Sequence, residues 1–180
     1  MSTYVEQRRT STLAGVDDAV LLAAVAGGRV EAVEEAYDRH ANALYRLALL
    51  IVGDWKPAED AVVGAFIALW RAPSSVDLGE RSVRGALAGK VYIRCIETRT
   101  THELRGHGSR LGALAALPRV ERDLLALILL GEHSRRQAAR LVGLNEDTAA
   151  TMIATALRAT LVAGRAAPAS SLGPRWRSAS

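Results

Sequence analysis

Between Val30 and Ile51 the apolar residues Val33, Tyr37, Leu44, Leu47, Ala48 and Ile51 recur at three- and four-residue steps, while Glu31, Glu34, Glu35, Asp38 and Arg39 fill the other positions. That period lays the apolar side chains along one stripe of an α-helix and would scatter them over both faces of a strand. Gly27-Gly28 precedes the stretch and Gly53-Asp54 follows it, so a long helix is predicted whose apolar stripe must be covered by neighbours. The neighbours read the same way. Asp17 and Asp18 can cap DAVLLAAVA. Asp54 caps a third helix, with Pro57 tolerated in its first turn, and AEDAVVGAFIALWR carries that helix to Arg71. A fourth runs from Ser82 to Leu104, after the Pro-, Gly- and Ser-bearing loop Ala72–Arg81. Hydrophobic residues make up 49% of the chain, largely Ala, Leu and Val, only 4% are aromatic, and no strand-favouring runs occur. The fold class is therefore all-α.

Past the glycine-rich GHGSRLG at 106–112, a second helical set begins. Pro118 stands where a helix starts, RVERDLLALILL follows, and Gly131 ends it. Ser134 and Gln137 have capping-box spacing for a short helix to Val142. Gly143-Leu144-Asn145 forms a turn, and Asn145 or Glu146 opens a last helix to Ala163. Two small helical domains are expected, over 17–105 and 116–163, joined by a linker at 106–115. A polar arm at 1–16 and a Pro/Ser/Ala-rich tail at 164–180 flank them, both expected to lack fixed structure.

Charge is unevenly spread. The net charge of +4 conceals a balance of −4 from Asp17 to Arg71, +3 from Ala72 to Arg110 and +2 from Leu111 to Arg165. Such a division suits two surfaces of opposite preference, although solvated helix faces would produce it too. The single cysteine, Cys95, forms no internal disulfide framework and fits a reducing, cytoplasmic setting. No stretch is apolar over a bilayer's thickness, so membrane insertion is not expected. Cys95, His102, His107 and His133 lack zinc-ligand spacing, and no metal or other cofactor is expected. The nucleophile, phosphate-loop and dinucleotide patterns are missing, and the chain reads as a non-enzyme. Trp55, Trp70 and Tyr45, at helical positions, are expected in the core, and His40 as a partly buried, hydrogen-bonded residue. Trp176 lies where no helical pattern would bury it and stands either as a docking element or as an incidental tail residue.

Ser134–Leu161 has the short helix, glycine turn and second helix of a helix-turn-helix, with small Ala138 and Ala139 at the expected crossing. Alone, that pattern serves DNA binding and a plain αα-hairpin equally well. The first half adds a more specific set of residues. Asp18, Leu21-Leu22, Gly28, Tyr37, Arg39-His40, Leu44-Tyr45, Gly53-Asp54, Ala58-Glu59-Asp60, Phe66 and Leu69-Trp70 follow one another in order. Val76-Asp77 and a basic helix come next, then ALPRVERDLLAL ahead of the helix-turn-helix. In this order and spacing the chain resembles the extracytoplasmic-function group of bacterial sigma factors over residues 17–162.

The resemblance implies roles. Glu59, Asp60 and Val63 would meet core RNA polymerase. The loop Pro73–Gly79, with Ser74, Ser75 and Asp77, would capture an unstacked promoter base. Lys90, Arg94 and Arg99 would face phosphates or base edges. Arg135 and Arg136 would touch phosphates, while the last helix, with Asp147, Ala150, Thr151 and Arg158, would lie in the major groove of promoter DNA. An anti-sigma factor is a further implied partner. The chain also departs from the family pattern. Val63-Gly64 stands where a polar pair is usual, and Ala86 where a Trp is usual. Gly85 and Gly89 each weaken their helix by roughly 1 kcal/mol relative to Ala. The last helix has no basic residue before Arg158, leaving little capacity for a bidentate guanine contact. An alternative therefore stands beside promoter recognition: a degenerate sigma-like regulator acting by protein–protein contact. A helix-turn-helix repressor with a ligand-binding helical domain is a third reading.

Overall fold

The computed structural model describes residues 13, 15–75, 82–101, 114 and 116–166. Among them it holds seven α-helices and no strand. Helix α1 (Asp18–Ala26) starts at Asp17, whose carboxylate accepts from the Ala19 amide at 3.3 Å. Helix α2 (Val30–Val52) ends where Gly53 takes φ 75°, a left-handed conformation that suits a residue without Cβ. Helix α3 (Trp55–Arg71) is capped by Asp54, which accepts from the Lys56 amide at 3.2 Å. A 3-10 turn at Pro73–Ser75 follows, and α4 (Val83–Thr101) completes the first set. The carboxylate of Asp18 accepts from the Val83 amide at 2.8 Å, so the start of α1 caps the start of α4.

Helices α2, α3 and α4 pack on one another, and α1 lies across α2. The covered side of α2 is Ala32, Ala36, His40, Leu44, Leu47, Ala48 and Ile51, and that of α3 is Ala58, Ala61, Val62, Ala65, Phe66 and Leu69. Each Leu or Ile so buried contributes about 1.5–3 kcal/mol. The alanines bring the axes close enough for the larger side chains to interlock.

The second set is α5 (Arg119–Leu129), α6 (Arg135–Val142) and α7 (Glu146–Ala166). Ser134 and Gln137 make the expected capping box, Gly143 takes φ 80° at the turn, and Asn145 accepts from the Thr148 amide at 2.8 Å. Leu124, Leu125, Leu127, Ala138, Ala139, Ala149, Ile153 and Ala156 close its interior. Helix α5 also lies against α2, and the buried apolar residues of both sets form one continuous cluster.

Several sequence expectations need correction. Trp55 (63% exposed) and Trp70 (41%) are outside the core, and Tyr37 is 47% exposed. The buried α2–α3 contact is made by alanines with Val62, Phe66 and Leu69, and both indoles lie on the exposed side of α3. Tyr37 instead stacks its ring obliquely against Phe66, centroids 5.1 Å apart. His40 is buried, but among the described residues neither ring nitrogen has a hydrogen bond, the nearest carboxylate oxygen being that of Asp18 at 3.8 Å. Leu13 and Val16, read as part of a free arm, are held by Arg39, which donates to the Val16 carbonyl at 2.7 Å and the Leu13 carbonyl at 2.6 Å. The last helix reaches Ala166 rather than Ala163. The expected linker from 106 to 113 and the tail from 167 lie outside the described residues. No helix among those described is long and apolar enough to cross a membrane.

Candidate functional site

The outward side of α3 carries Glu59, Asp60, Val63, Ile67 and Trp70, all exposed and spaced by three or four residues. They form an apolar stripe with a carboxylate end. Lys56 contacts that end, its ammonium 2.8 Å from Asp60 and 3.6 Å from Glu59, and Asp60 raises the Lys56 pKa. Both ion pairs are solvent-exposed, so they add little to stability and leave the carboxylates free to take other partners. The three residues expected at a polymerase contact thus share one accessible face.

Gly64, one turn behind, lies beneath the Arg94 side chain. A Cβ there would lie 2.8 Å from the Arg94 guanidinium, which rests over this point of α3. Arg94 of the basic helix is therefore exposed yet laid on α3, and Lys90 is half-buried on the same helix. Ser74 is exposed in the 3-10 turn, Ser75 closes that turn, and Asp77 lies outside the described residues.

Arg99 does not join Lys90 and Arg94 at the surface. Its guanidinium turns inward and grips Asp123 of α5 at 3.0 and 3.3 Å, while also donating to the Ile51 carbonyl at 3.3 Å. The Tyr92 hydroxyl donates to the same carboxylate at 3.4 Å. Burial pushes the Asp123 carboxyl above its ordinary value, and Arg99 opposes that shift. Burial likewise pushes up the Tyr92 hydroxyl, and the Cys95 thiol to about 12, which makes that cysteine an inert core residue.

A second contact joins the two sets at the turn after α5. Glu132 accepts from the Ser82 hydroxyl at 2.5 Å and pairs with Arg84 at 2.8 Å. Its φ of 56° is positive, the one such non-glycine among the described residues. A Cβ on Gly131 would meet the Leu127 carbonyl at 2.6 Å and the Ala88 Cβ at 3.1 Å. The run Gly85-Ala86-Leu87-Ala88-Gly89 on α4, costly to a helix by itself, lets this turn approach. Gly85, Ala86 and Gly89 are buried, and a Cβ on Gly89 would lie 3.8 Å from His133 Nε2. Sequence reasoning missed this contact; the signal available was the small residues clustered on α4.

On the helix-turn-helix, Arg135, Arg136, Arg140 and Arg158 are exposed. Along α7, Asp147 and Thr151 are exposed and Ala150 and Ala154 half-buried. The Thr151 hydroxyl donates to the Asp147 carbonyl at 3.0 Å, so even that group is engaged within the helix. Met152 packs against the core. Of the histidines considered with Cys95, His133 is buried and His102 and His107 lie outside the described residues.

Residues 36–85, which span most of α2, all of α3 and the start of α4, match the family model for sigma-70 region 2. Among solved structures, CnrH in complex with the cytosolic domain of CnrY has a similar fold, with a TM-score of 0.62 and 22% sequence identity over 81% of this chain and 95% of that one. No curated protein sequence matches the chain. The stretch from within α2 to the start of α4 is thus similar to sigma-70 region 2, and the two helical sets share the fold of CnrH.

Proposed function

We propose that this chain is a sigma factor of the extracytoplasmic-function group, cytoplasmic, which binds core RNA polymerase and brings it to promoters. The observation that carries the reading is the α3 face: within the segment matched to region 2, Glu59, Asp60, Val63, Ile67 and Trp70 present an unpartnered apolar stripe with acid at one end. Such a face suits a partner helix with apolar and basic side chains, as a polymerase clamp would offer. The domain over 17–105 would supply this contact together with capture of minus-ten DNA through Ser74, Ser75, Asp77, Lys90 and Arg94. The domain over 116–163 would sit on upstream promoter DNA through Arg135, Arg136 and the start of α7.

Engagement of promoter by Arg99 requires its release from Asp123, so the described arrangement suits a resting form rather than the DNA-bound one. By likeness to CnrH, seen with the cytosolic domain of CnrY, an anti-sigma factor is a fitting further partner. Co-purification of the full chain with core RNA polymerase tests the reading, with Asp60→Arg as the matched control. Retention of the wild type and loss of the variant support it; retention of neither, at low salt, overturns it.

The second reading, a regulator acting by protein contact alone, is favoured by one observation. The groove side of α7 offers Asp147, Ala150, Thr151 and Ala154, with no cation before Arg158. A chain that binds polymerase but directs no initiation would match that reading.

A further inference from the structure

An open cleft of about 520 Å³ lies between α2 and α3, and its lining is unusual for a surface of this chain. Tyr37, Tyr45 and Trp55 supply three aromatic rings, Asp38 and Glu59 supply two carboxylates, and no basic residue lines it. Trp55 and Tyr37 have large exposed areas although the helices beneath them are fully packed. Aromatic faces beside carboxylates form a receptor for a ligand that is itself flat, apolar and cationic. The cavity is large enough for an indole with a guanidinium next to it.

The chain carries such a ligand. Helix α7 is described to Ala166, and residues 167–180 contain two charges, both positive, at Arg175 and Arg177. Between them stands Trp176, the one aromatic residue of that segment. Nine residues lie between Ala166 and Trp176, a reach of up to about 35 Å when extended. The segment is tethered to the α5–α7 set, which itself lies against α2. A tether that spans the distance raises the local concentration of the ligand to roughly millimolar, which favours occupancy of a weak site.

We propose that Arg175-Trp176-Arg177 of this chain docks in the α2–α3 cleft, with the indole against Trp55 and Tyr37 and the two guanidinium groups at Asp38 and Glu59. The occupant is the chain's own segment rather than a second copy or a foreign peptide, because charge sign, aromatic content and tether all coincide in it. Docking covers Glu59 and Val63. If the α3 face binds polymerase, as proposed above, the segment competes for it; the docking itself does not depend on that reading.

The test uses the full chain with Ser178→Cys carrying a nitroxide, Cys95 being buried and unreactive. Paramagnetic broadening is read at the Trp55 indole N–H, identified by its loss in Trp55→Phe. The expected result is a strongly broadened Trp55 signal, recovered when Arg175→Glu and Arg177→Glu are added, and broadened again when Asp38→Lys and Glu59→Lys accompany them. A Trp55 signal untouched by the label overturns the proposal. So does broadening that survives charge reversal of the segment. Mixing isotope-labelled chain without the nitroxide with unlabelled spin-labelled chain checks the tether: broadening of comparable strength there assigns the cleft to a second copy and also overturns it. None of these readouts involves polymerase, so failure here is distinct from failure of the proposed function.

Discussion

Arg99 of α4 and Asp123 of α5 face one another through two nitrogen–oxygen contacts of 3.0 and 3.3 Å, with the two side chains only 9% and 2% exposed. This pair ties the α1–α4 set to the α5–α7 set. The family resemblance gives the same arginine to promoter DNA. In the described arrangement the guanidinium is committed to Asp123 and the Ile51 carbonyl, so a DNA contact by Arg99 would require breaking this pair.

Breaking the pair should be costly. Arg99→Met leaves the Asp123 carboxylate buried without its cation, and loss of about 3–5 kcal/mol is expected in urea unfolding. The double variant Arg99→Met with Asp123→Leu should recover most of that loss, since it removes the charge together with its partner. Equal destabilisation by the single and double variants would mean that packing, not charge, dominates the site.

Acid should loosen the fold through His40. Burial holds this imidazole below its ordinary value of 6.5, Arg84 and Arg39 acting in the same direction and Asp18 and Glu132 opposing. A folded value lower than the unfolded one means the native state favours the neutral ring. The associated stability is full above the unfolded value and is lost as pH falls through the folded one. The urea midpoint should drop between about pH 7 and pH 5, and His40→Gln should flatten that slope. An unchanged slope in the variant would assign the acid sensitivity to other groups.

Two glycines should respond in opposite ways to alanine. At Gly131 the new Cβ meets backbone, the Leu127 carbonyl at 2.6 Å, and presses on Ala88 across the join. Overpacking there should cost about 1–3 kcal/mol. At Gly64 the new Cβ meets only the far end of Arg94, which can swing away, and helix propensity favours Ala by roughly 1 kcal/mol. Thermal melts should show Gly131→Ala lowered and Gly64→Ala unchanged or raised.

The bare α7 surface predicts weak, salt-sensitive DNA binding by the full chain in the absence of polymerase. Arg135, Arg136, Arg140 and Arg158 can neutralise phosphates, a term that falls steeply with salt and carries no sequence preference. Ala150→Lys should raise affinity at low salt in fluorescence anisotropy. Met152 packs on the core and is left alone. Tight binding by the wild type that discriminates between sequences would contradict this description of α7.

Periodicity and capping made the helices legible. Asp17, Asp54, the Ser134–Gln137 box and the Gly53 and Gly143 turns stand where the sequence places them, because these signals act within a few residues. The aromatic residues were misread for the opposite reason. Trp55 and Trp70 fit a helical pattern, but which face of α3 is covered depends on how closely α2 approaches, and the alanines that set that distance look unremarkable in a sequence. The Arg99–Asp123 pair, the Glu132 contact and the fit of Gly64 to Arg94 all join residues distant along the chain, and no local pattern announces them. On the candidate polymerase face, Glu59, Asp60 and Val63 were found by resemblance, whereas Ile67 and Trp70 emerged only from their exposure.

Run-off transcription tests whether the α3 face serves a working sigma factor. Core RNA polymerase is combined with the full chain or with Asp60→Arg on a library of genomic fragments, and discrete transcripts are counted. Because Asp60 is exposed and, among the described residues, paired with Lys56 alone, the variant should keep its helicity. Discrete start sites are expected with the wild type, and a marked loss with Asp60→Arg. Polymerase binding without any specific transcript, equal for both proteins, would contradict that role.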